Sequence, residues 1–145
     1  SSEDAAHEGL LKAADDLNAF LDARLAEAGL TPDRLALVGF SQGTMMALHV
    51  APRRAAPVAG VVAFSGRLLR PELLKVEAIS KPPVLLIHGD ADPMVPFADM
   101  KLAGQALTAG GFETFGHVMK GTGHGIAPDG LSVALTFLKE RLGGA

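Results

Sequence analysis

Ser41 stands in Gly39-Phe40-Ser41-Gln42-Gly43, directly after the apolar run Leu35-Ala36-Leu37-Val38 and directly before a helical pattern. A strand, a sharp turn and a helix with a serine at the apex is the setting of an exposed nucleophile. On such a turn the serine backbone is strained, and bulky residues two positions away would collide, which predicts glycine at both 39 and 43. The turn would lift the hydroxyl above the carboxyl edge of a sheet and aim the Gln42 N–H at an incoming carbonyl. The first helical turn would add partial positive charge where an oxyanion forms. The competing reading is a glycine-flanked serine that caps a helix.

An alcohol is a poor nucleophile until a base takes its proton, and a histidine base needs an acid to fix its tautomer and stabilise the imidazolium. Two acids, Asp90 and Asp92, follow the apolar run Val84-Leu85-Leu86-Ile87-His88 in a loop that ends Pro93-Met94-Val95-Pro96. Asp90 lies close to the strand end and is suited to hydrogen-bond the turn backbone; Asp92 is further out and fixed by Pro93, which makes it the preferred acid. His124 sits between Gly123 and Gly125, on a loop able to reach over a site. Gly121-Thr122-Gly123-His124-Gly125 is not a phosphate loop, because Lys120 precedes the glycines where such a loop carries its lysine after them. His88, Asp90, Asp92, His117 and His124 lack a compact metal-binding spacing, so no metal is expected.

The elements that must position these residues follow from periodicity. Leu10, Ala14, Leu17, Leu21, Leu25 and Ala28 recur at helical spacing behind Ser1-Ser2-Glu3-Asp4, whose hydroxyls and acids suit a helix start, and Gly29 ends that helix. A second helix runs from Gln42 to the stop at Pro52, with Met45, Met46 and His49 read as packing residues. Val58–Phe64 is apolar without alternation, as in a strand covered on both faces. Between Ser65-Gly66 and Pro82-Pro83 there is room for a short helix, and Leu68 and Leu69 there, with Met94, are candidates to wall a substrate cleft. A helix from about Phe97 ends at Gly110-Gly111. Phe112–Met119 carries Glu113, Thr114 and His117, the polar interruptions of an edge strand. Leu131, Leu135, Leu138 and Leu142 mark a final helix. The alternation of strand and helix predicts one α/β domain over 1–145, a parallel sheet with helices on both faces. In parallel strands Ser41, Asp92 and His124 all leave from the same edge, so they can converge.

Composition narrows the partners. With 48% hydrophobic residues in 145 the chain can bury one core, and has no room for two. A net charge of -3 with scattered basic residues offers no cationic patch for nucleic acid. The absence of cysteine removes disulfides and thiol nucleophiles from consideration. No apolar run reaches membrane-spanning length, and the acidic N-terminus is unlike a signal peptide. Cytoplasmic residence is the expectation.

Gly39-Phe40-Ser41-Gln42-Gly43, His88-Gly89-Asp90-Ala91-Asp92-Pro93-Met94-Val95-Pro96 and Gly123-His124-Gly125 together resemble the phospholipase/carboxylesterase family of α/β-hydrolases, which also contains the acyl-protein thioesterases. The resemblance runs from about Arg34 to the end. It implies Ser41 as nucleophile, Asp92 as acid, His124 as base, and hydrolysis of carboxylic esters or thioesters, lysophospholipids among them, without cofactor. It also implies about three further strands ahead of the long helix, with a His-Gly-rich loop giving the second oxyanion N–H, and roughly 200–250 residues in such a domain. This chain looks like the C-terminal two-thirds of a hydrolase, its N-terminal strands absent. The strand at 35–38 is apolar and unprotected as an edge. It is expected to be covered by a complementary N-terminal segment or by another copy. A truncated, non-catalytic hydrolase domain serving as a binding or assembly module is the alternative function.

Overall fold

Strands that are apolar on both faces require cover on both faces, and the fold supplies it in three layers. The computed structural model describes residues 2–143. In chain order it contains α1 (Ser2–Ala28), β1 (Ala36–Phe40), α2 (Gln42–Val50), β2 (Gly60–Phe64), α3 (Leu74–Glu77), β3 (Val84–Gly89), α4 (Ala98–Ala109), β4 (Thr114–Met119) and α5 (Pro128–Arg141). All neighbouring strands pair in parallel, in the order β1-β2-β3-β4. Every residue of β2 and β3 is buried.

The strands advance across the sheet in one direction, so right-handed crossovers carry every connecting helix to the same face. There Ala14 and Leu21 of α1, Leu48 and Val50 of α2, Leu74 of α3, and Ala103 and Leu107 of α4 form one core with Leu37, Val61, Ala63, Val84 and Leu86. The opposite face is left to α5, whose Ala134 and Phe137 pack with Val62, Phe64, Leu85, Ile87 and Met119. Each fully buried aliphatic side chain contributes about 1.5–3 kcal/mol, so the strand ends that carry the site stand on a firm base.

Because α5 lies over β2, β3 and β4, β1 has its second face bare. Val38 is 56% and Phe40 38% exposed, although their strand partners Val62 and Phe64 are buried. β1 also pairs on one side only within the described chain. The polar strand β4 forms the other edge, where Glu113, Thr114 and His117 pointed.

Element boundaries moved by a few residues. β1 runs on through Gly39 and Phe40, which pair with Ala63 and Phe64 up to the turn. β2 begins at Gly60, two residues after the buried Val58. The helix-start reading on Ser1 falls outside the described residues. Among the described residues, no helix is long and apolar enough to cross a membrane.

Candidate active site

The turn at Ser41 carries the backbone strain that its sequence implied. Ser41 has φ 58 and ψ -115, left-handed and rare for a residue with a side chain. Two bonds to one carbonyl hold it there: the Ser41 N–H donates to Phe64 O at 3.0 Å, and the buried Thr44 hydroxyl donates to the same oxygen at 2.7 Å. A Cβ on Gly39 would lie 2.5 Å from both the Gly43 carbonyl carbon and the Thr44 nitrogen, so glycine there is a steric requirement. The expectation for Gly43 is corrected: a Cβ built on it meets nothing within 4 Å. Only one of the two glycines is demanded by close approach, because Gly43 is met through its backbone. The helix-capping reading of Ser41 also fails, since its side chain makes no cap bond to α2.

The hydroxyl turns instead to His124. Ser41 Oγ is 3.1 Å from His124 Nε2, and His124 Nδ1 is 2.8 Å from Asp92 Oδ2. The three residues come from the loops after β1, β3 and β4, the carboxyl ends of parallel strands. The Phe40 ring leans on the imidazole, with centroids 4.8 Å apart.

The Asp92 side chain is fully buried, and its other oxygen accepts N–H bonds from Met94 at 2.8 Å and Val95 at 2.9 Å. Burial pushes the carboxyl up, but the bonds from His124, Val95 and Met94 outweigh it and hold the group below its ordinary value. Asp92 is therefore a carboxylate at neutral pH and can orient an imidazole with its hydrogen on Nδ1. Nε2 is then an acceptor for the serine proton.

Asp90 has a different task. Its Oδ1 accepts the Gly121 N–H at 2.7 Å, and the Ala91 N–H donates to Thr122 O at 3.0 Å, stitching the acid loop to the loop that bears His124. The two loops touch closely enough that a Cβ on Gly89 would fall on the carbonyl oxygens of Thr122 and Gly123.

Gln42, expected to supply an oxyanion donor, is the first residue of α2, so its N–H has no partner inside the helix. Of the three expected cleft residues, Met94 is 70% exposed beside the Asp92 carboxylate. Leu68 is instead packed into the core, and Leu69 lines a shallow groove with Ala6, His7, Leu10 and Arg70. The helix-bearing segment is drawn down by Leu68 and Leu74, so packing accounts for Leu68 without a ligand. An open groove of about 920 Å³ between α4 and β4 is lined by Leu86, Phe97, Met100 and Phe115 but by none of Ser41, Gln42, Asp92 and His124. Size alone would misplace the site.

The other histidines do other things. His49 is buried, and its pKa is lowered to about 4 by burial first and then by the Arg53 charge, so it stays neutral. His117 pairs with Asp129 at 2.6 Å on the surface. His88, read from sequence only as a possible metal ligand, is buried with its Nε2 3.0 Å from Val95 O and 3.5 Å from Asp92 Oδ2. The available signal was a polar residue at the end of an otherwise apolar strand, which must find a partner when buried.

A parallel sheet in this order, with a strained serine turn after one strand and acid and histidine loops after the third and fourth, is an α/β-hydrolase fold. The crystal structure of esterase PE8 superposes with a TM-score of 0.90 and 46% identity, covering 92% of this chain and 62% of that one. Arabidopsis thaliana SOBER1 superposes with a TM-score of 0.85 at 26% identity over 92% of this chain and 64% of its own. The chain belongs to the phospholipase/carboxylesterase family, whose sequence model matches residues 1–142. Acyl-protein thioesterase 1 of Gibberella zeae is 31% identical over 121 residues, 80% of this chain and 52% of that protein. Esterase YpfH of Escherichia coli is 30% identical over 113 residues, 78% of this chain and 47% of the relative. The chain spans about half the length of these curated relatives.

Proposed function

We propose that this domain hydrolyses carboxylic esters or thioesters by a serine mechanism with an acyl-enzyme intermediate. The observation that carries it is the continuous chain of bonds Ser41 to His124 to Asp92, at 3.1 and 2.8 Å. His124 Nε2 takes the Ser41 proton as Oγ attacks the acyl carbon, and the carbonyl electrons move onto an oxygen facing the Gln42 N–H. When the carbonyl re-forms, the bond to the leaving alcohol or thiol breaks, and His124 returns the proton to it. Water then enters and gives a proton to His124 as its oxygen attacks the acyl carbon; the bond from that carbon to Ser41 Oγ breaks as His124 returns the proton to Oγ, releasing the acid. No cofactor takes part in this scheme. A small ester or acyl substrate suits the exposed position of Met94 beside the site.

The rate should rise with pH on a single limb. The acceptor nitrogen must be free of a proton before it can take the one on Ser41, so protonation of the base at low pH stops turnover. Asp92, held below the ordinary carboxylate value, stays charged at neutral pH and does not set the limb. Fluorophosphonate labelling and p-nitrophenyl ester turnover, followed from pH 5 to 9, check this. His117→Ala should leave the limb where it is, whereas His124→Gln with unchanged rate and profile would remove His124 as the base.

We further propose that a segment N-terminal to α1, rather than the chain alone, completes the working site. The bare face at Val38 and Phe40 and the open flank of β1 support this reading, as does the single oxyanion donor at Gln42. One missing donor typically costs about 10²–10³ in rate. The 145-residue chain at low concentration is expected to turn over esters about that much more slowly than a form in which the flank is covered, and to aggregate through it. Full activity in a monomeric preparation of this chain would overturn the proposal. Activity rising with concentration alongside dimer formation would transfer the covering role to a second copy. No fluorophosphonate labelling in either form would favour a non-catalytic binding or assembly module.

A further inference from the structure

We propose that His88 is a positioning residue for Asp92, a reading that rests on the Ser41, His124 and Asp92 assignment above. His88 is the penultimate residue of β3, is 2% exposed, and its Nε2 lies 3.0 Å from the Val95 carbonyl oxygen. A carbonyl only accepts, so Nε2 carries the hydrogen and the tautomer is fixed by this bond. Val95 is thereby held from both sides: its carbonyl accepts from His88, and its N–H donates to Asp92 Oδ1 at 2.9 Å. The same Oδ1 accepts the Met94 N–H. With one oxygen clasped by two backbone donors, Oδ2 is left to meet His124 Nδ1 at 2.8 Å. His88 Nε2 is 3.5 Å from that Oδ2, too long for a good bond, so its hold on the acid acts chiefly through Val95. The Phe97 ring stands edge-on to His88, centroids 6.0 Å apart, and Val95 is itself buried, which keeps water from replacing the imidazole.

Packing alone does not explain a histidine here. Val84, Leu85, Leu86 and Ile87 fill the same strand with apolar side chains, and a buried imidazole N–H is costly unless it is bonded. The bond it makes is to the segment that aims the acid, and a misplacement of about 1 Å at such a site can cost about 10²-fold in rate.

The test compares His88→Phe, which keeps a ring of similar size and removes the donor, with His88→Gln, whose side-chain amide can again donate toward Val95 O. Turnover of a p-nitrophenyl ester by the active assembly is measured with hydrogen exchange of the Met94 and Val95 amides. The Phe variant should lose about 10–100-fold in kcat with KM within about twofold, and its Met94 and Val95 amides should exchange faster while those of β2 do not. His88→Gln should recover a large part of kcat and of the protection. Unchanged kcat and exchange in His88→Phe would overturn the proposal, as would a Gln variant no better than Phe, which would assign His88 to packing. Ser41→Ala or His124→Gln enzymes that keep full activity would remove the underlying assignment instead, and are read in separate variants.

Discussion

Ser41→Ala is expected to lower ester hydrolysis by about 10⁴-fold or more while the protein folds as before. The size follows from the loss of the attacking atom: among the described residues no other hydroxyl is bonded to His124 Nε2. The fold should survive because the Ser41 hydroxyl caps nothing in α2. The bonds that hold the turn, from Ser41 N–H and the Thr44 hydroxyl to Phe64 O, do not involve the Ser41 side chain. Alanine has the same Cβ and inherits the same strained φ, so no new penalty arises. Turnover of a p-nitrophenyl ester beside a thermal unfolding curve measures both halves of this expectation. A variant with near-normal turnover would end the serine mechanism for this domain.

Asp92→Asn should cost about 10⁴-fold in kcat, and the geometry says why so small a change does so much. The Met94 and Val95 N–H groups both donate to Oδ1, so the new amide places its oxygen there and its NH₂ where Oδ2 was. That group donates to His124 Nδ1 and drives the imidazole hydrogen to Nε2, which then donates to Ser41 and can no longer take its proton. Asp90→Asn is the control, because its side-chain oxygen still accepts from Gly121 N–H and the stitch between loops is kept. A loss within a few-fold is expected for it. Comparable losses in the two variants would mean that the acid has been assigned to the wrong residue, and circular dichroism keeps unfolding apart from lost chemistry.

The juxtaposition of Ser41, His124 and Asp92 was legible in the sequence because it depends on short-range constraints. A strand, a tight turn and a helix must follow one another within a dozen residues for a serine to stand as Ser41 does, and the requirement for glycine at 39 is written in the same stretch. Pro93 and the glycines flanking His124 likewise mark loops at strand ends, and parallel strands put those ends on one edge. The preference for Asp92 over Asp90 was also local, resting on distance from the strand end.

Other features belonged to the tertiary structure. Gly43 seemed to need its missing side chain, yet only the packed turn reveals that the collision runs from Gly39 into the Gly43 backbone. Leu68 and Leu69 look alike in sequence, but one sinks into the core and the other lines a groove against α1, because the depth of a loop residue is set by what packs across from it. His88 reads as the polar end of an apolar strand until the chain returns seven residues later and brings Val95 O to its Nε2. The bare face of β1 came from handedness: right-handed crossovers sent α2, α3 and α4 to one side, and α5 alone covers β2 to β4 on the other. The sequence by itself determined which residues could do chemistry and on which kind of edge they would stand. Which partners hold them there was decided only when segments distant along the chain packed, since a hydrogen bond or a steric contact belongs to two places in the sequence at once.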